Sequence, residues 1–120
     1  MTRITIRIDF DDGSNIGHGK IRLLELIDEH GSISRAAKEM NMSYRRAWLL
    51  ADAMNTMFET PVLETQHGGA GGGHARLTSF GHAVIENYRS IEAHNATTFG
   101  KLLTGMKRGL KRKATAGTKV

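Results

Sequence analysis

The chain has 120 residues, of which 39% are apolar, and it contains no cysteine. This length suits one compact domain with a short extension, and the apolar fraction argues against an intrinsically disordered chain. The lack of cysteine excludes disulfides, thiolate nucleophiles and thiolate metal sites. Residues 1–100 contain ten basic and twelve acidic residues, whereas residues 101–120 contain seven basic residues and no acidic one. The net positive charge of the chain therefore comes from its C-terminal end.

The N-terminal segment alternates apolar and polar residues. Every second residue from Ile4 to Phe10 is apolar, which predicts a half-buried strand over residues 2–10, followed by a turn over residues 11–15. The same alternation argues against a signal peptide, and no apolar run is long enough to span a membrane. We therefore expect a cytoplasmic protein.

Three consecutive stretches have the apolar spacing of helices. The second and third are separated by only three residues, among which Asn41 tolerates the left-handed backbone of a tight turn. Alanines where these two helices cross allow close approach, so the pair predicts a helix-turn-helix. The three helices are expected over residues 19–30, over 35–40 with Ser34 as the N-cap, and over 44–58 with Ser43 as the N-cap.

The third predicted helix carries basic residues on its outer face. With Ala47 at the centre of the buried side, a step of about 100° per residue turns Arg45 and Leu49 outward and puts Arg46 and Trp48 on the flanks. Helix N-termini attract anions and arginine can bind guanine, so we expect the first turn to enter a DNA major groove. The alternative is a solvated basic face on a protein-binding module. Trp48 is expected to pack against the first helix or a partner subunit.

A glycine-rich stretch, HGGAGGGH, separates two short strands predicted at residues 62–65 and 75–78. It lacks the lysine of a P-loop and leads into a strand, which argues against nucleotide binding. Two interpretations remain: a flexible hairpin without a ligand, or a wing whose backbone N–H groups and Arg76 approach nucleic-acid phosphates. His67 and His74 bracket the stretch but lack the third ligand of a catalytic metal site, so we expect no metal.

Thr78 is the predicted N-cap of a long last helix. Its apolar stripe extends further than a domain of this size can cover, so part of the stripe is expected to pack against a second copy. After residue 105 the sequence has no core-forming pattern and is expected to be a flexible tail. The stripe consists of Phe80, Val84, Tyr88 and Ile91.

The sequence has no pattern of catalytic residues. It lacks the G-x-S-x-G and H-E-x-x-H motifs, and no acidic pair stands apart from helix surfaces. We therefore predict that the protein is not an enzyme and uses no cofactor.

Two stretches, GSISRAAKEMNMSYRRAW and GGAGGGHARLTSFG, resemble the N-terminal winged-helix domain of ModE-type, molybdenum-responsive transcriptional regulators. The domain is also similar, more distantly, to the LysR-type helix-turn-helix, and the resemblance covers about residues 16–92. It implies a dimeric DNA-binding domain with a recognition helix from Tyr44 and a wing over residues 66–75. The implied dimer surfaces are the helix from Ser79 and the first helix, on which we select Leu23. ModE-type regulators also carry a C-terminal molybdate-binding region of small β-barrels; nothing after residue 100 matches one, so we expect no molybdate binding.

The sequence as a whole predicts an α+β winged helix-turn-helix with an N-terminal strand, a β-hairpin wing and a long C-terminal helix. The predicted parts are a strand and turn over residues 1–15, the winged-helix domain with its dimerisation helix over 16–105, and a basic flexible tail over 106–120. The predicted function is sequence-specific binding of double-stranded DNA by a homodimeric, nucleoid-associated transcriptional regulator that lacks the molybdate-binding domain. The alternatives are an architectural DNA-binding protein with little sequence preference and a protein-interaction module on the same fold.

The predicted DNA contacts lie on the helix-turn-helix, the wing and the tail. The first two groups are Ser34, Arg35, Lys38, Ser43, Tyr44, Arg45, Arg46, Gly71, Gly72, Gly73, His74 and Arg76. The tail cations, which would add contacts without sequence preference, are Lys107, Arg108, Lys111, Arg112 and Lys113.

Overall fold

The computed structural model describes residues 2–66 and 74–111. The predicted α+β winged helix is confirmed: a helix-turn-helix lies between two short antiparallel hairpins and is followed by C-terminal helices. The elements are β1 (Arg7–Asp9), β2 (Asn15–Gly17), α1 (His18–His30), α2 (Ile33–Glu39), α3 (Tyr44–Met57), β3 (Leu63–Gln66), β4 (His74–Leu77), α4 (Ser79–Thr98) and α5 (Gly100–Arg108).

Helix α1 is the centre of the core. It contacts α2, α3, α4, β2 and β4, and its residues Ile21, Leu24 and Ile27 are fully buried. The helix ends at Gly31, whose φ of 70° places it in the left-handed region that favours glycine. The carbonyl of Gly31 then accepts a hydrogen bond from the Ala75 N–H at 3.0 Å, which attaches the second hairpin to the end of α1.

The N-terminal segment follows the predicted alternation of burial, but its regular strand is shorter than residues 2–10. Ile6 and Ile8 are half-buried between exposed neighbours, and only β1 pairs, with β2 as its antiparallel partner. The sequence did not predict β2, because three residues are too few to show a period of two. In the connecting turn, the Asp12 carboxylate accepts hydrogen bonds from the Ser14 N–H and hydroxyl at 2.9 and 2.6 Å. These hydrogen bonds hold the pKa of Asp12 below its usual value.

The helix-turn-helix has the predicted turn but a different first cap. Asn41 has a φ of 55°, and the Ser43 hydroxyl accepts the Arg46 N–H at 3.1 Å, as expected. The prediction of Ser34 as the N-cap of α2 was wrong, because the Ser32 hydroxyl accepts the Arg35 N–H at 3.2 Å. The helix starts at Ile33 because this side chain is buried in the core, which moves the helix start two residues towards the N-terminus.

Helix α4 is held to the rest of the chain by polar contacts. The Arg89 guanidinium donates to both carboxylate oxygens of Glu25 on α1, at 2.9 and 3.0 Å, and to Glu92 at 2.7 Å. The hydrogen bonds from Arg89 lower the pKa of Glu25, and the carboxylate in turn raises the pKa of Arg89. One residue earlier, the Tyr88 hydroxyl donates to the Ile6 carbonyl at 2.7 Å, so α4 also fixes the N-terminal segment.

The C-terminal part differs from the prediction in two ways. Leu23 is fully buried and Tyr88 is 2% exposed, so neither has a surface to offer a second copy, and their assignment to a dimer interface was wrong. They point into this chain because α1 lies beneath α4. In addition, α5 continues to Arg108, so the predicted tail boundary at residue 105 falls inside a helix.

Candidate nucleic-acid interface

Helix α3 presents one face to the core and the opposite face to solvent. Ala47, Ala51 and Met54 are buried against the rest of the domain, whereas Arg45 and Leu49 are exposed. This is the orientation predicted from the helical period. The small side chains of Ala47 and Ala51 let α3 pack closely on α1 and α2, and this packing fixes the orientation of its exposed face.

Four exposed cations lie on the helix-turn-helix, two of them on the N-terminal turn of α3. Arg45 and Arg46 lie on that turn and Arg35 and Lys38 on α2, and all four are exposed. None of them forms an ion pair with another residue of the part of the chain that the structure describes. Their charge is therefore available to an anionic partner, with Ser43 capping the helix at the same end.

Asn55 fixes the second hairpin relative to α3. Its side-chain oxygen accepts hydrogen bonds from the Val62 and Leu63 N–H groups at 2.8 and 3.1 Å, and its Nδ2 donates to the Leu63 carbonyl at 3.1 Å. The sequence did not predict this role, since a single polar residue within a helix gives no signal of its partner. The contact makes the position of the wing strands depend on the C-terminal end of α3.

The wing strands pair in the predicted antiparallel manner. Leu63 is opposite Leu77, and Glu64 is opposite Arg76, with 3.4 Å between the Glu64 carboxylate and the Arg76 guanidinium. Both charged side chains are exposed, so this ion pair is weak and a phosphate group is able to compete for Arg76. His74 is exposed at the start of β4.

The predicted DNA contacts that the structure describes all lie at the surface. Gly71, Gly72 and Gly73 of the wing, with Arg112 and Lys113 of the tail, lie outside the described residues. Lys107 and Arg108 belong to α5, and Lys111 follows it. The exposed residues of the helix-turn-helix and wing are Ser34, Arg35, Lys38, Ser43, Tyr44, Arg45, Arg46, His74 and Arg76.

Trp48 is not covered by the first helix, which is one of the two environments predicted for it from the sequence. It is 40% exposed and is not part of the core around α1, so the expectation that it packs against the first helix was wrong. The helical wheel explains this, because Trp48 lies about 100° from the centre of the buried side. Its neighbours Tyr44 and Leu49 are exposed as well.

A second set of exposed apolar residues lies in the C-terminal part of the described chain. We call it the C-terminal stripe, and each of its residues is at least 43% exposed. From Phe99 onwards these residues are spaced by three to four, the spacing of one helix face, whereas Ile91 lies eight residues earlier on α4; basic residues lie elsewhere on α5. The C-terminal stripe consists of Ile91, Phe99, Leu102, Met106 and Leu110.

Membrane-spanning helices and metal centres are both absent from the described part of the chain. No helix there is long and apolar enough to cross a membrane. Residues 2–66 and 74–111 also contain no group of three or more His, Cys, Asp or Glu side chains placed to hold a metal ion.

Comparison with known proteins supports the resemblance inferred from the sequence. A family model described as bacterial regulatory helix-turn-helix protein, lysR family, matches residues 18–82. The molybdenum-pterin-binding protein MopA of Rhodobacter capsulatus is 40% identical over 91 residues, which make up 76% of this chain and 34% of MopA. The molybdenum transport protein ModE of Azotobacter vinelandii is 37% identical over 95 residues, 79% of this chain and 35% of that protein. The chain thus spans about a third of the length of these relatives.

Two further matches are informative. The DNA-binding transcriptional dual regulator ModE of Escherichia coli K12 is 42% identical over 69 residues, 58% of this chain and 26% of that regulator. Among solved structures, the CbnR DNA-binding domain, from a crystal structure of its complex with DNA, matches with a TM-score of 0.56. It is 20% identical and the match covers 73% of this chain and 95% of that domain. At this level of identity, the comparison shows only that the two domains share a fold.

Proposed function

Because the chain belongs to the lysR family of bacterial regulatory helix-turn-helix proteins, we propose that it binds double-stranded DNA sequence-specifically, as a homodimer, and regulates transcription. The N-terminal turn of α3 enters the major groove, where Arg45 contacts base edges. Arg35 and Lys38 of α2 contact the phosphates on one side of the groove, and the wing with Arg76 contacts the backbone on the other.

One observation carries this proposal. Arg45 and Arg46 stand at the open end of a rigidly packed helix, beside Arg35 and Lys38, and no described acidic residue neutralises them. Four exposed cations on two packed helices attract phosphates, and the fixed position of α3 lets Arg45 distinguish bases. The relative from Escherichia coli K12 is named as a DNA-binding transcriptional dual regulator, which fits the same role.

Selection of bound duplexes from random-sequence DNA tests the proposal. We expect enrichment of an inverted repeat whose half-sites are about one helical turn apart, as in other dimeric helix-turn-helix proteins. Affinity for the selected duplex should exceed affinity for random DNA by at least about 10³-fold at physiological salt. Tight binding without enrichment would identify an architectural protein, and the absence of salt-dependent DNA binding would identify a protein-interaction module.

The C-terminal stripe supports the homodimer. Exposed apolar residues that recur along a helix are costly in a monomer, because a contiguous apolar surface lowers the free energy when it is removed from water. A second copy offers the same stripe, and two identical helices bury it symmetrically. Phe80 and Val84, which were predicted to lie in the dimer interface, contribute less to it in this proposal because both are partly buried within the chain. Phe80 packs on Phe58, with 5.1 Å between the ring centroids.

A charged substitution in the stripe tests the dimer. Met106 is 73% exposed and makes no contribution to the core, so Met106→Asp should leave the fold intact. We expect sedimentation to give a dimer for the unmodified protein and a monomer for the variant at micromolar concentration. Met106→Leu keeps the apolar surface and should stay dimeric; a monomeric unmodified protein, with and without DNA, would contradict the proposal.

A further inference from the structure

The exposed large apolar residues of the described chain are concentrated in two places. Apart from Phe10, they lie on the C-terminal stripe or in the first half of α3, where Tyr44, Trp48 and Leu49 are exposed. The C-terminal stripe is assigned above to a second copy. The residues on α3 are not assigned to a second copy, and they lie on the helix that carries Arg45 and Arg46.

Leu49 has the most informative position of the three. It is 49% exposed and lies on the side of α3 opposite the buried Ala47 and Ala51. It follows Arg45 by four residues, which puts the two side chains on the same face, one turn apart. Leu49 therefore places an apolar side chain on the exposed face of α3, one turn beyond Arg45.

The cations around Leu49 restrict what covers it. Arg45 and Arg46 precede Leu49 by about one turn and Arg35 and Lys38 lie on the adjacent α2, so these four cations outnumber the one exposed carboxylate on this face of α3, that of Asp52 three residues after Leu49. A second copy would bring the same four cations and repel them, whereas DNA brings phosphates. The major groove also offers an apolar group, the C5 methyl of thymine, which is the natural contact for an aliphatic side chain there.

We propose that Leu49 is a specificity-determining residue that packs on the C5 methyl of a thymine in each half-site. This inference rests on the proposed function, since it requires α3 to lie in the major groove. The spacing locates the thymine: four residues of helix advance by about 6 Å, and base pairs rise by about 3.4 Å, so it lies within about two base pairs of the base that Arg45 contacts. Removal of one methyl group from this contact should weaken binding about four-fold per half-site.

Replacement of thymine by uracil tests the contact directly, because uracil pairs in the same way and lacks only the methyl group. The probe is the duplex selected from random-sequence DNA, with each thymine replaced in turn by uracil at the symmetric positions of both half-sites. For the unmodified protein we expect about 15-fold weaker binding at one position, the product of two half-site effects. Leu49→Ala should bind the thymine and uracil duplexes equally at that position, and Leu49→Met should keep part of the difference.

Thr56→Ala is the matched control, because Thr56 is exposed on the same face two turns further along α3. It should respond to uracil as the unmodified protein does. Two results would refute the contact and leave the proposed function standing. In the first, uracil does not weaken binding at any position although the selected duplex is still preferred. In the second, uracil weakens the binding of Leu49→Ala and of the unmodified protein equally. If selection enriches no sequence, the proposed function itself fails, and this inference with it. Circular dichroism checks the fold of each variant. If Leu49→Ala is unfolded, the uracil series on the unmodified protein alone tests whether a thymine methyl group contributes to binding.

Discussion

Asn55→Ala is the substitution whose cost follows most directly from the geometry. It removes two hydrogen bonds accepted from the Val62 and Leu63 N–H groups and one donated to the Leu63 carbonyl. Val62 and Leu63 are buried, so water replaces these partners poorly. At about 1 kcal/mol for each hydrogen bond, less about 0.6 kcal/mol for the better helix propensity of alanine, we expect a loss of about 2–3 kcal/mol in the free energy of unfolding.

Urea denaturation followed by circular dichroism measures this loss. With a slope of about 1–3 kcal/mol per molar urea, the midpoint should fall by about 1–2 M. Asn55→Asp keeps an acceptor for both N–H groups and should lose less. Thr56→Ala removes only a hydroxyl bonded to the Ala53 carbonyl at 3.1 Å within the same helix, and should change the midpoint little. An Asn55→Ala midpoint equal to that of Thr56→Ala would refute the claim that Asn55 fixes the wing strands.

Three further predictions concern stability and charge. Glu25→Gln should cost about 1–2 kcal/mol at pH 7. Because the hydrogen bonds from Arg89 hold the pKa of Glu25 below its usual value, the difference from the unmodified protein should shrink in urea titrations as the pH falls below that usual value and disappear once the pH is below the pKa in the folded protein. Gly81→Ala should cost about 2–4 kcal/mol in the same assay, because a Cβ there overlaps the Val62 carbonyl oxygen, whereas Gly105→Ala has open space and should be neutral or stabilising. Removal of residues 109–120 takes away four cations. The slope of log affinity against log salt should become shallower by roughly 0.9 for each phosphate that these cations neutralise, and the ranking of DNA sites should stay unchanged. An unchanged slope would show that these residues do not bind DNA.

The sequence predicted those features that depend on periodicity and on local turn chemistry. The buried side of α3 follows from the spacing of Ala47, Ala51 and Met54, and the tight turn follows from Asn41, which adopts the expected positive φ. Ser43 was identified as a cap because it precedes a strong helical pattern. All of these are decided by residues close together in the chain.

Features that depend on distant partners were missed. The pairing of Arg89 with Glu25 joins residues 64 positions apart, and nothing near either residue indicates the other. Leu23 was placed on a dimer surface because the resemblance implied one on the first helix, and an apolar stripe gives the same signal whether a helix of the same chain or a second copy covers it. The expectation that Trp48 packs against the first helix failed for a related reason: hydrophobicity indicates that a side chain favours burial but does not identify the surface that covers it.

The central claim is that the first turn of α3 distinguishes DNA sequences, and Arg45→Ala tests it most directly. The measurement is the ratio of affinities for the selected duplex and for random DNA, at one fixed salt concentration, in the unmodified protein and in the variant. We expect the ratio to fall by about 5- to 150-fold per half-site, which corresponds to the roughly 1–3 kcal/mol of a base-specific arginine, while affinity for random DNA changes far less. An equal loss on both duplexes, leaving the ratio unchanged, would show that Arg45 contacts only phosphate and would contradict the account.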